Sequence, residues 1–408
     1  NMPFDRFTVE QIAGEPAGKL EIEPHPYLRQ QLIGRVTFAY GEREFRWSDP
    51  SRGAFDAPQN RMLVRDRRRE GELLQTISGS ELASPGGEDL RGNEFDLTLS
   101  AKQLPDLVEP GEPLGALTAS AAEALGLPRN LPVFSAGADK ACEVLGCGAI
   151  TPETACVSLG TTATINTCRD VYREVMRFVP AYPAAMPARF TDEIQIYRGF
   201  WLVSWFKQEF ALDTVDAAAR EQRAAEALLD ERIAPIGPGS DGLVVLPTWS
   251  PGVRIPGPEA RGAIIGFTDI HTRAHVYRAI LEGLAFALRE GRERIEKRTK
   301  TPITRLRVSG GGSQSDQAMQ ILADVFALPA ERAHTHETSG LGAAINAAVG
   351  LGWYADHASA AQAMVHEGTR FEPNPAAVAT YEELYREIFV GLYDRLKPVF
   401  SRTREILN

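Results

Sequence analysis

From about residue 104 the sequence alternates short apolar runs with helix-like stretches, and this alternation constrains the fold more than any other feature. "LPVFSAGA" (Leu131–Ala138) reads as a buried strand, with the helix of "DKACEVLGCGA" directly behind it. Two β-runs follow, Ala155–Leu159 and Ala163–Thr167, joined by Gly160-Thr161-Thr162. "GLVVLPTW" (Gly242–Trp249) is another buried strand. Thr272 to about Lys297 is the longest helix, with Ile280, Leu281, Leu284, Ala287 and Leu288 as its apolar stripe. "TRLRVSG" is a strand, "GGSQ" a turn and "SDQAMQILADVF" a helix; Met319, Leu322 and Phe326 recur in it at core spacing. "LGAAINAAVGLG" is a small-residue helix suited to packing close to a strand, and Ala377–Leu396 reads as one amphipathic helix. Upstream, "LPDLVEPGEPLGAL" is a proline-rich extended crossing, and Thr118–Leu127 a short helix with Thr118 as cap and Gly126 as stop. Strands alternating with helices are the α/β pattern.

A chain of 408 residues has room for two or three domains. Its net charge of −10 argues against nucleic acid or an anionic membrane surface as partner. No apolar run approaches the roughly 18–20 residues of a membrane span. No signal-peptide pattern is read at the start, and four cysteines without a disulfide framework make a reducing cytoplasm the expected location. The four cysteines, Cys142, Cys147, Cys156 and Cys168, form no C-x-x-C and no disulfide framework. His334 and His336 lack a third ligand nearby, so no metal site is expected. Residues 1–97 read differently, dense in charge and turn residues: Arg65–Arg69 suggests a solvated face and Ser78–Asn93 a long loop or linker.

Three segments carry chemistry. Asp139 stands where a strand ends and a helix begins. There it is either a helix cap or a carboxylate able to take a proton from a substrate hydroxyl. Gly160-Thr161-Thr162 is either a tight turn, with glycine supplying positive φ, or a cradle of N–H groups and hydroxyls for a phosphate. Gly310-Gly311-Gly312, followed by Ser313, lets a flat or anionic ligand approach the backbone ahead of a helix N-terminus. It is neither a Walker loop nor a G-x-G-x-x-G. Trp201 and Trp205, one helical turn apart, serve either the core or a sugar face.

In this order and spacing the segments resemble the FGGY family of carbohydrate kinases, of the actin/hexokinase/Hsp70 fold superfamily. "GAIIGFTDIHTRAHVYRAILE" (Gly262–Glu282) follows the family's second signature, with Phe267 where an aliphatic is usual. "SAGADKACEVLGCG" resembles the segment with the catalytic aspartate, "SLGTT" the second phosphate motif, and "SGGGSQSDQAMQILADVF" the adenosine motif. "ETSGLGAAINAAVGLG" also fits, and "HPYLRQQLIGR" (His25–Arg35) is weakly similar to a further stretch. The resemblance covers residues 98 to the C-terminus.

It implies a ribonuclease H-like ATPase domain over 131–408, preceded by the end of a first kinase domain and a crossover at 98–130 and by an atypical or truncated segment at 1–97. It implies ATP and Mg²⁺, with Asp139 as the base on a ketose or polyol hydroxyl, and Asp139 and Lys140 at the substrate. Gly160, Thr161, Thr162, Gly266, Gly310, Gly311, Gly312 and Ser313 are the implied ATP-binding residues. The partners expected are the sugar and ATP, without nucleic acid or membrane, and a homodimer is admissible. Two departures stand out. Residues 1–97 hold no D-x-G-T hairpin, and Lys140 replaces the usual neutral or small residue after the aspartate. The alternative reading is therefore a nucleotide-binding remnant without transfer. Weak turnover, and independent folding of 98–408, are the corresponding expectations.

Overall fold

In the computed structural model residues 108–176, 180–252 and 256–407 are described, and they divide into two units. The readings made on residues 1–97 lie outside the described residues.

One unit holds 108–142, 170–190 and 342–361. Strand β1 (Pro113–Ala116) pairs antiparallel with β2 (Pro132–Phe134). Between them lies α1 (Ala119–Leu125), whose first turn is capped by the Thr118 hydroxyl and which stops at Gly126 with φ 65°. Both ends match the sequence reading. The stretch 131–138 differs from it. Instead of a buried strand it gives the three-residue β2, partly exposed, in a two-stranded ladder. Pro132 lacks an N–H for a longer ladder. A methyl on Gly137 would lie 2.8 Å from the Ala185 Cβ, so the chain there packs too closely for a side chain. The extended crossing likewise contains a strand, β1. Helix α2 (Asp139–Gly146) follows, and β5 (Tyr182–Pro183) is a short later strand. The small-residue helix spans Thr338–Gly350; a methyl on its Gly350 would lie 2.3 Å from the Phe134 ring, so it does pack close to a strand. A methyl on Gly342 would lie 2.0 Å from the Cys142 carbonyl oxygen, an equally close approach to a helix.

The other unit holds 143–169, 191–341 and 362–408. Its sheet runs in the order β11 (Arg370–Phe371), β10 (Ala330–Arg332), β9 (Arg305–Ser309), β3 (Thr154–Leu159), β4 (Ala163–Arg169), β6 (Phe190–Ile196). β3 and β4 form an antiparallel hairpin with Leu159 opposite Ala163, whereas β9 runs parallel to β3 and β10 parallel to β9. Every residue of β3 and β4 is buried, as in strands covered on both faces.

The long helix α6 (Arg273–Thr299) packs on β4 and on β7 (Val244–Leu246), which pairs with β8 (Ala263–Ile265). It starts at a capping box in which Thr272 and His275 satisfy each other's backbone N–H. Gly291 admits Ile165 and Ile194 to the helix surface, and Gly283 admits the Val245 carbonyl. Beside it lies α7 (Asp316–Phe326), with Met319, Leu322 and Phe326 buried as the spacing requires.

The expected single helix over 377–396 is interrupted. A helix over Pro375–Glu383 passes into a π-turn over Leu384–Phe389, and a new helix starts at Leu392. Gly391, at φ 80°, makes the break. The Tyr and Leu periodicity continues through it because Tyr381, Tyr385, Phe389 and Leu392 are all buried.

Candidate functional site

Parallel pairing of β3 and β9 puts Ser158 opposite Ser309, so the turns leaving the C-terminal ends of both strands emerge side by side. A methyl on Gly310 would lie 2.9 Å from the Leu159 carbonyl carbon and 3.1 Å from the Gly160 nitrogen. With φ 82° as well, only glycine suits that position. Gly310 thus joins the two glycine motifs, 150 residues apart in sequence, into one backbone surface. Gly160 itself does not need positive φ, contrary to the sequence reading; a methyl there would meet the Thr162 carbonyl oxygen at an ordinary 3.4 Å. Thr161 at the tip is exposed and Thr162 half-buried.

A third segment, which the sequence analysis noted only for Trp201 and Trp205, meets the hairpin tip through its backbone. The N–H groups of Phe200 and Trp201 donate to the Gly160 and Thr161 carbonyls, at 3.0 and 3.4 Å. These residues begin helix α3 (Trp201–Phe210). A methyl on Gly199 would sit 2.3 Å from the Ala163 nitrogen, and one on Gly312 would sit 2.4 Å from the Phe200 ring. A glycine directly ahead of an apolar helix, as in "GFWLVSWF", was the available signal. Trp205 packs against Trp249 and Phe210, with ring centroids at 5.5 and 5.2 Å. Trp201 stacks under the Arg198 guanidinium.

The triple-glycine turn closes as one 3₁₀ turn: the Ser313 N–H and hydroxyl both donate to the Gly310 carbonyl, at 3.0 and 2.7 Å. Ser315 then caps α7 by accepting from the Ala318 N–H. Backbone without side chains, leading into a helix N-terminus, suits an anion. Helix α5 (Ala225–Ile233) brings Asp230 to the same N-terminus, hydrogen-bonded to Ser315 and to the Gln317 N–H. Burial, reinforced by repulsion from Asp316 and Glu226, pushes its carboxyl up to about 6.

Asp139 is exposed at the first position of α2, and Lys140, half-buried, follows it. Glu143, in the second unit, is buried and accepts a hydrogen bond from the Ser309 hydroxyl at the end of β9, just before the glycines. Sequence reasoning passed over Glu143, because its partner is 166 residues away. Burial pushes the Cys142 thiol up to about 11.

Gly266 also lies in the second unit, directly after β8. Its φ is 99°, and a methyl there would lie 2.2 Å from the Gly242 carbonyl oxygen. The turn it touches, Gly239–Gly242, holds Ser240 and Asp241 at φ 50° and 52°. Glu282, the last residue of the signature, secures that turn. It accepts from the Gly239 N–H (3.0 Å), the Ser240 hydroxyl (2.8 Å), Arg278 (2.9 Å) and the Tyr381 hydroxyl (2.7 Å). His334 is exposed and lies against the His366 ring, and no metal-holding group of three acidic, histidine or cysteine side chains occurs among the described residues. No helix of the described residues is long and apolar enough to cross a membrane.

Comparison with known proteins agrees with this geometry. Residues 155–351 match the FGGY family of carbohydrate kinases, C-terminal domain. An uncharacterized sugar kinase of Escherichia coli, YgcE, is 32% identical over 304 residues, 74% of this chain and 61% of that protein. A xylulose kinase of Lactococcus lactis is 31% identical over 307 residues, 74% of this chain and 57% of its own length. The chain thus spans about three fifths of the curated relatives it matches. The crystal structure of a xylulose kinase from Rhodospirillum rubrum superposes with a TM-score of 0.64 at 29% identity, covering 74% of this chain and 59% of that one. The fold is ribonuclease H-like α/β, and residues 155–351 match the C-terminal domain of the FGGY family of carbohydrate kinases.

Proposed function

We propose that the chain binds MgATP on the paired glycine turns and transfers the γ-phosphate to a hydroxyl of a sugar, a ketose or polyol. The observation that carries this reading is the contact of Gly310 with Leu159 and Gly160, which merges two phosphate-type turns at the ends of parallel strands. In the proposed roles, the amides of Gly160–Thr162 and the turn Gly310–Ser313 bind the nucleotide, with Gly266 a further backbone contact. The α7 N-terminus adds favourable potential for negative charge. Asp139 accepts the proton of the attacking hydroxyl, and Lys140 binds a substrate oxygen. Phosphoryl transfer demands little covalent chemistry of the protein, so positioning and charge neutralisation carry the catalysis. Mg²⁺ enters as part of the nucleotide substrate. Residues 131–408 are the proposed ATP-binding part, with 98–130 leading into it.

The test is phosphate transfer from ATP by the full chain to a panel of ketoses, polyols and sugar acids. Asp139→Asn is expected to keep ADP affinity and to lose about 10²–10⁴-fold in transfer. Unchanged turnover in that variant overturns Asp139 as base. Nucleotide binding without transfer to any sugar selects the remnant reading instead.

A further inference from the structure

Three consecutive glycines cannot hold a turn by themselves, since each is conformationally the freest residue. The near end of the turn is fixed by β9 and by Glu143 on Ser309. The far end meets Arg332, the last residue of β10. Its Nε donates to the Ser313 carbonyl at 2.5 Å, and its Nη2 to Asp316 Oδ1 at 2.5 Å. One planar guanidinium therefore spans the step from the 3₁₀ turn into the first turn of α7.

Arg332 is itself rigidly held. Its N–H donates to the Thr369 carbonyl at 2.8 Å, and its partner across the parallel ladder is Val308, two residues before Gly310. Its guanidinium lies over the Phe371 ring at 5.2 Å. A methyl on Gly368 would fall 1.9 Å from the Arg332 carbonyl oxygen, so a neighbouring loop presses on the same residue.

We infer that Arg332 is a positioning residue for nucleotide binding: acting through Ser313 and Asp316, it holds the Gly310–Gly312 backbone in the shape that receives the nucleotide. This rests on the functional reading above. Two measurements on the full chain separate them. The first is hydrogen exchange at the amides of Gly311–Ser313 without ligand; the second is calorimetric affinity for ADP with Mg²⁺. Arg332→Met keeps an apolar stem over Phe371 and removes the donors. It is expected to speed exchange in the turn and to weaken ADP about tenfold, the loss of one charge-assisted contact. The sugar KM and the thermal midpoint are expected to stay near wild type. Arg332→Lys should recover part of the affinity. Asp316→Asn should weaken ADP by a smaller factor, because it loosens the same guanidinium.

Wild-type affinity and wild-type exchange in Arg332→Met overturn the inference. Tighter ADP binding in Asp316→Asn also overturns it, since a freed arginine would then be touching the nucleotide directly. Faster turn exchange in Arg332→Met, with no ADP binding by the wild type, overturns the nucleotide role of both turn and arginine while leaving the arginine's grip on the turn established.

Discussion

Asp230 holds a buried oxygen, Oδ1, that has no hydrogen-bond partner, although the carboxyl reaches Ser315 and the Gln317 N–H. Its pKa rises to about 6 because burial penalises the charged form. The folded chain therefore binds this proton more tightly than the unfolded chain does. The term favours folding fully below the ordinary value of 3.8 and is lost as pH rises through about 6. Asp230→Asn keeps the shape without the charge. Its thermal midpoint should exceed wild type by about 2–4 °C at pH 8, with the gap closing near pH 4; parallel melting profiles at the two pH values would refute this. Burial pushes the Glu282 carboxyl up as well, but there the Arg278 charge and hydrogen bonds from Tyr381, Ser240 and the Gly239 N–H oppose the shift. Glu282→Gln leaves Arg278 buried without its counter-charge, at a cost of about 3–5 kcal/mol in denaturant unfolding. The sequence marked Glu282 only as the end of a motif. Its partner Tyr381 lies 99 residues downstream, so the reason for the glutamate became visible only in the fold.

Gly391 and Gly310 both have positive φ, 80° and 82°, but differ in surroundings. A methyl on Gly391 would meet nothing within 4 Å, whereas one on Gly310 would press on the Leu159 backbone. Gly391→Ala should therefore cost only the backbone term, about 1–2 kcal/mol, read as a lower thermal midpoint. Gly310→Ala should cost more and also abolish ADP binding, read by calorimetry; equal losses of stability in the two variants would count against the packing argument. Local chemistry was legible wherever one segment decides it: the Thr118 cap, the Gly126 stop, the start of the long helix at Thr272, and the β3–β4 hairpin. Illegible were features set by distant partners. The Gly391 break was hidden because buried aromatic residues continue through it. The pairing of β2 with β1 was hidden because an apolar tetrapeptide does not say which sheet receives it. The meeting of Gly160 with Gly310 required the parallel register of β3 and β9, and the start of α3 entered the site through backbone hydrogen bonds to the Gly160 and Thr161 carbonyls, 40 residues back along the chain.

At the scale of the molecule, the α/β class followed from the alternation of strands and helices, while the division into two units did not, because each unit gathers separated stretches of chain. Ligand binding to the folded state alone raises stability by about 2.7 kcal/mol at a hundredfold excess over Kd. MgADP should thus raise the thermal midpoint of the full chain, and no shift at millimolar nucleotide would exclude the binding reading. The cysteines add a consequence of their own. All four are buried, Cys142 in one unit and Cys147, Cys156 and Cys168 in the other. A thiol-directed label can then enter only when the surrounding structure opens, so the chain carries a separate clock for each unit. Read peptide by peptide in a mass spectrometer, MgADP should slow the clock of the three thiols that share a unit with the glycine turns; if Cys142 slows by the same factor, the two units open as one.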